Sequence, residues 1–253
     1  MNIDRERVRA VFRKELRQFR RNRAIVVTMG ILPVLFLTGP MISIFSLSAS
    51  ASSSSVRGVV DSVFLLMLIV PVILPATISA YSVVGERDQG TLEPLLTTPV
   101  RRGELMLGKG LAAVLPAVAV TYVLYTAFVV AVRLWAVHAA FTDIWQLPPI
   151  LVEVLFAPLL AAWSVCVGMA VSVRSTDVRV AQQLSTLASL PPLGLAMLLT
   201  FRVITPTVLS AIAIGLAFVV LDSLACWGAA TTLDRERLIV GRRAPRDERT
   251  RSA

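Results

Sequence analysis

Histidine is nearly missing from this chain, which has one, His138, in 253 residues. A metal centre would need further ligands beside it, and a catalytic base a partner to orient it. No thiol or carboxylate cluster stands beside it in the sequence, so His138 reads as an interfacial residue. Cysteine is almost as scarce. Cys166 and Cys226 lie in different apolar runs without Cys-x-x-Cys spacing, which excludes haem attachment, indicates no disulfide framework and leaves both as packing residues. Charged residues make up 16% of the chain, against about 25% in an ordinary soluble domain. What is abundant is apolar: 56% of the residues are hydrophobic, and the mean hydropathy is +0.75. That composition is an integral membrane protein's.

Six apolar runs reach the roughly 20 residues needed to cross a bilayer, near 24–47, 59–84, 105–132, 148–173, 180–200 and 206–231. The formal charge of +9 does not point to nucleic acid, because a nucleic-acid binder lines one folded face with Lys and Arg. Here they gather between and beyond the apolar runs. With the N-terminus inside, all of the 25 Lys and Arg except Arg57, Arg133 and Arg202 fall on the inner side. One missed span would invert every later loop, so this asymmetry supports both an even span number and an N-in, C-in topology in the cell membrane. The Ala-x-Ala pattern in "LSASASS" is not read as a cleavage site. The apolar run before it exceeds a signal h-region, and Asp4, Glu6 and Glu15 interrupt the charged segment.

The expected fold is therefore an all-α integral membrane protein of about six transmembrane helices. Residues 1–23 form a basic amphipathic helix at the membrane interface, with Val8, Phe12, Leu16 and Phe19 on one stripe and cations facing lipid head groups. Residues 24–232 form the six-span domain, with a cytoplasmic loop at 85–104, and residues 233–253 form a basic cytoplasmic tail. Residues 48–55 read as a short outer loop. Trp135, Phe141 and Trp145 sit where an outer aromatic belt belongs.

Two motifs invite catalytic readings. "GELMLGKG" at 103–110 contains the Gly-x-x-x-x-Gly-Lys of a phosphate-binding loop, but Gly110 stands where Ser or Thr would hold magnesium, no strand precedes it, and an apolar span follows. No ATPase site is expected on this chain. Asp222 and Glu153 fall inside apolar spans, where ionisable groups are costly, and they form the candidate intramembrane polar site. The competing reading has Asp222 hydrogen-bonded to a neighbouring Ser or Thr or meeting an Arg at a helix end, and Glu153 snorkelling outward.

The stretch from Gly85, "GERDQGTLEPLLTTPVRRGELMLGKG", is punctuated like a small helix. Thr91 can cap it, Glu93 suits the first turn, and Pro94 is tolerated there. Leu92, Leu95 and Leu96 share one face, Pro99 ends the element, and Arg101 with Arg102 marks the return to the membrane. So short a helix is marginal in water, so its leucine face needs a surface to pack on.

The run Glu86-Arg87-Asp88-Gln89-Gly90-Thr91-Leu92-Glu93-Pro94-Leu95-Leu96, followed by Thr98-Pro99-Val100 and Gly108-Lys109, resembles the first cytoplasmic loop of ATP-binding cassette permeases of the ABC-2 type. The resemblance implies a membrane-spanning permease subunit of an ATP-driven exporter. Its loop would be a coupling helix seated in a cleft of a separate ATPase subunit, contacted by Glu86, Arg87, Gly90, Thr91, Leu92, Glu93, Leu95 and Leu96. ATP and Mg would be held by that partner and no cofactor by this chain. A second permease chain, identical or related, would complete the path. Two alternatives stand beside it: a proton-coupled secondary transporter using Asp222 and Glu153, and a membrane-embedded enzyme, for which the single histidine leaves little to build with.

Overall fold

Inside a bilayer no water is at hand for the backbone, so an apolar chain closes its hydrogen bonds within helices. The computed structural model describes residues 4–48, 51–88, 101–136, 138–201, 203–205 and 207–232, and every regular element among them is a helix. The basic helix α1 (Arg5–Arg21) begins at Asp4, whose carboxylate accepts from the Glu6 N–H, and only Asn22 separates it from α2 (Arg23–Phe45). Then follow α3 (Ser53–Ala80), the short α4 (Val84–Asp88), α5 (Arg102–Trp135), α6 (His138–Ile144), α7 (Leu147–Arg174), α8 (Val178–Ala188), α9 (Leu190–Thr200) and α10 (Val208–Thr232).

Six stretches are long and apolar enough to cross a membrane: Ile25–Phe45, Ser53–Arg87, Gly103–Trp135, Pro149–Arg174, Val178–Thr200 and Val208–Ala229. They match the six runs of the sequence, with instructive differences at their edges. The second begins inside the serine stretch read as a loop, because Ser52 Oγ accepts the Ser55 N–H and caps the helix. The aromatic segment between the third and fourth spans folds one further short helix, α6. On it Phe141 stacks with Trp145, and the Arg133 guanidinium lies 5.0 Å above the Phe141 ring.

The fifth span is broken at Ser189. Pro191 and Pro192 follow at the start of α9 and bring no N–H. The carbonyl that Pro192 would have bonded is that of Ala188, four residues back. It accepts instead from Trp163 Nε1 on α7 at 3.2 Å, which keeps the break satisfied inside the bundle.

Helix α3 is the centre, packed against α2, α5, α7, α8 and α9. It meets α7 closely at Gly168, where a side chain would overlap Ser79. Helices α7 and α10 run parallel, with Phe156 edge-on to Phe218 at 5.1 Å. Farther along the same pair, Cys166 and Cys226 are joined in a disulfide, their Cα atoms 5.0 Å apart. This corrects their reading as separate packing residues. The two lie 60 positions apart, and only the pairing and register of α7 with α10, which no local spacing encodes, bring them together. Helices α2 and α10 turn apolar side chains outward, Ile42 at 71% and Leu209 at 77% exposed, as helices facing lipid do.

Candidate functional site: the root of the 85–104 loop

The second span does not run straight into the loop. Helix α3 stops at Ala80, the chain turns through 81–83, and α4 restarts at Val84. Such a joint leaves backbone groups open, and Ser172 of α7 closes them. Its hydroxyl donates to Ala80 O at 2.6 Å and accepts from the N–H groups of Val83 at 3.2 Å and Val84 at 3.1 Å. The Lys109 ammonium of α5 binds Ser82 O at 2.9 Å. Arg87 reaches the end of α7, where Nη1 donates to Ser175 O at 3.1 Å and Nη2 to Val173 O at 3.5 Å, a cation at the negative end of a helix.

Below the joint lies a cluster of two cations and two carboxylates from three helices. Glu86 Oε1 on α4 is 2.6 Å from Lys14 Nζ and 2.9 Å from Lys109 Nζ. Glu15 Oε1 on α1 is 3.0 Å from Lys14 Nζ and 3.2 Å from Lys109 Nζ. Lys109, Glu15 and Glu86 are buried, and Lys14 covers them from outside. Burial by itself pulls the Lys14 pKa down, but Glu15 and Glu86 outweigh it and hold the ammonium above the ordinary lysine value of 10.5.

The far end of the loop is tied to the same helix. Glu104, buried in the first turn of α5, accepts from the Arg101 N–H at 2.9 Å through Oε2 and from the Asp4 N–H at 3.0 Å through Oε1. Arg7 Nη1 stands 3.8 Å from Glu104 Oε2. Helix α1 therefore holds both the exit at Glu86 and the return at Glu104.

Close approach of α1 and α5 requires Gly108. A Cβ there would stand 2.6 Å from Val11 Cγ1 and 3.1 Å from Val8 O. The Gly-Lys pair that imitated a phosphate loop thus has another use: Gly108 admits the crossing helix and Lys109 pairs with the acids beneath it. Phe19, at the other end of α1, packs with Ile25, Ile78, Ala113, Val165 and Met169. The inward face of α1 is accordingly anchored to the spans at both ends and in the middle.

Of the eight residues named as contacts for an ATPase, Glu86 and Arg87 belong to this root, and their side chains are engaged within the chain. Gly90, Thr91, Leu92, Glu93, Leu95 and Leu96 lie outside the described residues, as does the 233–253 tail. Sequence reasoning missed Lys14, Glu15 and Glu104 as site residues. Glu15 was the available signal, an acid four positions after Val11 on the side of α1 that packs inward.

The structure does not bring Glu153 and Asp222 together. Leu155 meets Gly215, Phe156 meets Phe218 and Cys166 meets Cys226, so α7 and α10 are in register with an offset near 60. Glu153 is thus level with about residue 213. Asp222 lies some nine residues, about 13 Å, nearer the α1 end. Neither Glu153 oxygen nor Asp222 Oδ1 has a hydrogen-bond partner, and a relay directly between them lacks the contact it needs. His138 starts α6 and, among the described residues, no group of three His, Cys, Asp or Glu converges.

A protein-family model described as "ABC-2 family transporter protein" matches residues 9–230. No curated protein matches the chain.

Proposed function

Because the chain belongs to the ABC-2 transporter family and is thereby a membrane-spanning permease component of an ABC transporter, we propose that it is the path-forming subunit of an ATP-driven exporter, worked through the 85–104 loop by a separate ATPase. ATP and Mg belong to that partner. A second permease chain completes the path, which runs between the two. Family membership supports this reading over the secondary transporter and the membrane enzyme.

The observation that carries the coupling role is the fixing of both loop ends to α1 and to spans two, three and four. A push on a loop with a free root would bend the loop. Here it would meet the buried ion pairs of Glu86 and the hydrogen bonds that Glu104 accepts from the Asp4 and Arg101 N–H groups, and move α1 and the adjoining spans together. Glu86 and Arg87 are then positioning residues of the root, and the docking face falls to Leu92, Leu95 and Leu96 with Thr91 and Glu93. Leu95→Asp should abolish co-purification with the ATPase and ATP-dependent transport while membrane insertion stays intact. Normal transport by that variant would refute the docking assignment.

A further inference from the structure

Helix α1 has a different neighbour on each side. The side toward the spans carries Val11 and Glu15, both buried. One flank is marked by Phe19, which packs with Ile78, Ala113 and Met169 among others. Along their own helices these three lie on the membrane side of Ala80, Lys109 and Ser172, so this flank looks toward the bilayer interior. The opposite flank carries Lys14, which meets Glu86 at the root of the loop. At 3.6 residues per turn, Phe12 and Leu16 fall on the Phe19 flank, and both are half-buried. The apolar stripe expected from the sequence is thus the membrane-side edge of α1, and the anchored face lies beside it.

The remaining side, away from Val11 and Glu15, holds Arg9, Arg13, Arg17 and Arg20 within about 80° of arc and about 17 Å of length. All four are exposed, and among the described residues none has an ion-pair or hydrogen-bond partner. One acid, Glu6, shares that side, at its N-terminal end. Like charges at i, i+4 repel, so the row costs the helix something and calls for an anionic neighbour. Its height is fixed by the chain. Only Asn22 separates α1 from the first span, and α1 crosses the third span at Gly108, inside the stretch that crosses the membrane. The arginine side therefore points sideways, at the level where the spans leave the bilayer.

We propose that Arg9, Arg13, Arg17 and Arg20 bind the phosphates of anionic phospholipids, and that this lipid, by holding α1, sets how firmly both ends of the 85–104 loop are held. Guanidinium suits phosphate, which it meets with two parallel N–H donors. An acidic protein face would satisfy the arginines alone. A lipid leaflet satisfies both neighbouring sides of the helix, with phosphates beside the arginines and acyl chains beneath Phe12 and Leu16. The consequence for the loop follows from the same helix, since Lys14 and Glu15 share the cluster with Glu86 and the Asp4 N–H binds Glu104. The root is then sensitive to the charge of the membrane around it.

The test needs no ATPase, so its failure is separable from failure of the coupling assignment. Hydrogen exchange is followed on the full-length permease in nanodiscs of phosphatidylcholine alone and in discs where a part of it is replaced by phosphatidylglycerol. One arginine near an anionic surface contributes about fivefold in binding. Protection along α1 and at Glu86 and Glu104 should therefore rise by about tenfold or more in the anionic discs. The gain should fade in about 1 M salt, where charges are screened beyond about 3 Å, and inorganic phosphate added to phosphatidylcholine discs should not reproduce it. The triple variant Arg9→Gln, Arg13→Gln, Arg20→Gln leaves the buried face of α1 intact. It should match the wild type in phosphatidylcholine and lose most of the gain in anionic discs. Equal protection in both disc types, or a gain that survives the triple substitution, overturns the proposal. So does a variant that loses ATPase co-purification while lipid charge has no effect on either protein, which would give this side of α1 to an acidic protein face.

Discussion

Lys109→Met is the substitution that tests the root most directly. In the structure the Lys109 ammonium is 6% exposed and stands 3.2 Å from Glu15, 2.9 Å from Glu86 and 2.9 Å from Ser82 O. At an effective dielectric near 20, each carboxylate contact is worth about 5 kcal/mol of gross attraction. Most of that is offset by desolvation, but deletion does not recover the desolvation of the partners left behind. Glu15 and Glu86 would remain buried, sharing Lys14, which is itself half in solvent. Breaking such a buried arrangement costs about 3–5 kcal/mol, and the α1 helix should loosen before the spans do. Hydrogen exchange in nanodiscs should show faster exchange along the middle of α1, and thermal unfolding should fall. Adding Glu15→Gln should restore about 1–3 kcal/mol relative to additivity, because the two residues are in contact. A loss under about 1 kcal/mol, with α1 exchange unchanged, would refute the cluster as the tie between α1 and the loop.

Three further outcomes follow from the geometry. Gly108→Val should push α1 off α5, since even a Cβ meets Val11 at 2.6 Å. It should give a loss of about 1–3 kcal/mol by overpacking and α1 exchange resembling that of Lys109→Met, whereas wild-type protection in this variant would contradict the crossing. The Lys14 pKa is raised, so its stabilising contribution is complete below the unfolded value near 10.5 and is lost as pH climbs through the higher folded value. α1 protection measured up to pH 10 should therefore hold in the wild type, and Lys14→Met should flatten the loss above it. A non-reducing peptide map should recover the Cys166 and Cys226 peptides as one species that reduction separates. Two alkylatable thiols in denatured, unreduced protein would count against the bridge.

The span count was legible because it depends on composition over some twenty residues, and the bilayer enforces that scale. The family was legible because the residues that carry the resemblance, from Glu86 to Lys109, stand close together in the chain. What escaped depended on partners far away in the chain. Glu15 looked like one more charge on a basic helix until Lys109, on another helix, came beneath it. Cys166 and Cys226 needed the α7–α10 register, and Ser172 had no visible task until the turn after Ala80 placed three backbone groups around its hydroxyl. The break at Ser189 was half legible. Its two prolines stood in plain view, but the indole that makes the break tolerable belongs to another span.

That break bears on how the chain enters the membrane. Each half of the fifth span, α8 and α9, has 11 residues and rises only about 16 Å, so neither crosses the hydrocarbon layer alone. The span also has the lowest mean hydropathy of the six, 1.2. Insertion of the fifth span should therefore depend on the fourth, which precedes it in the chain and whose Trp163 donates to the Ala188 carbonyl in the folded bundle.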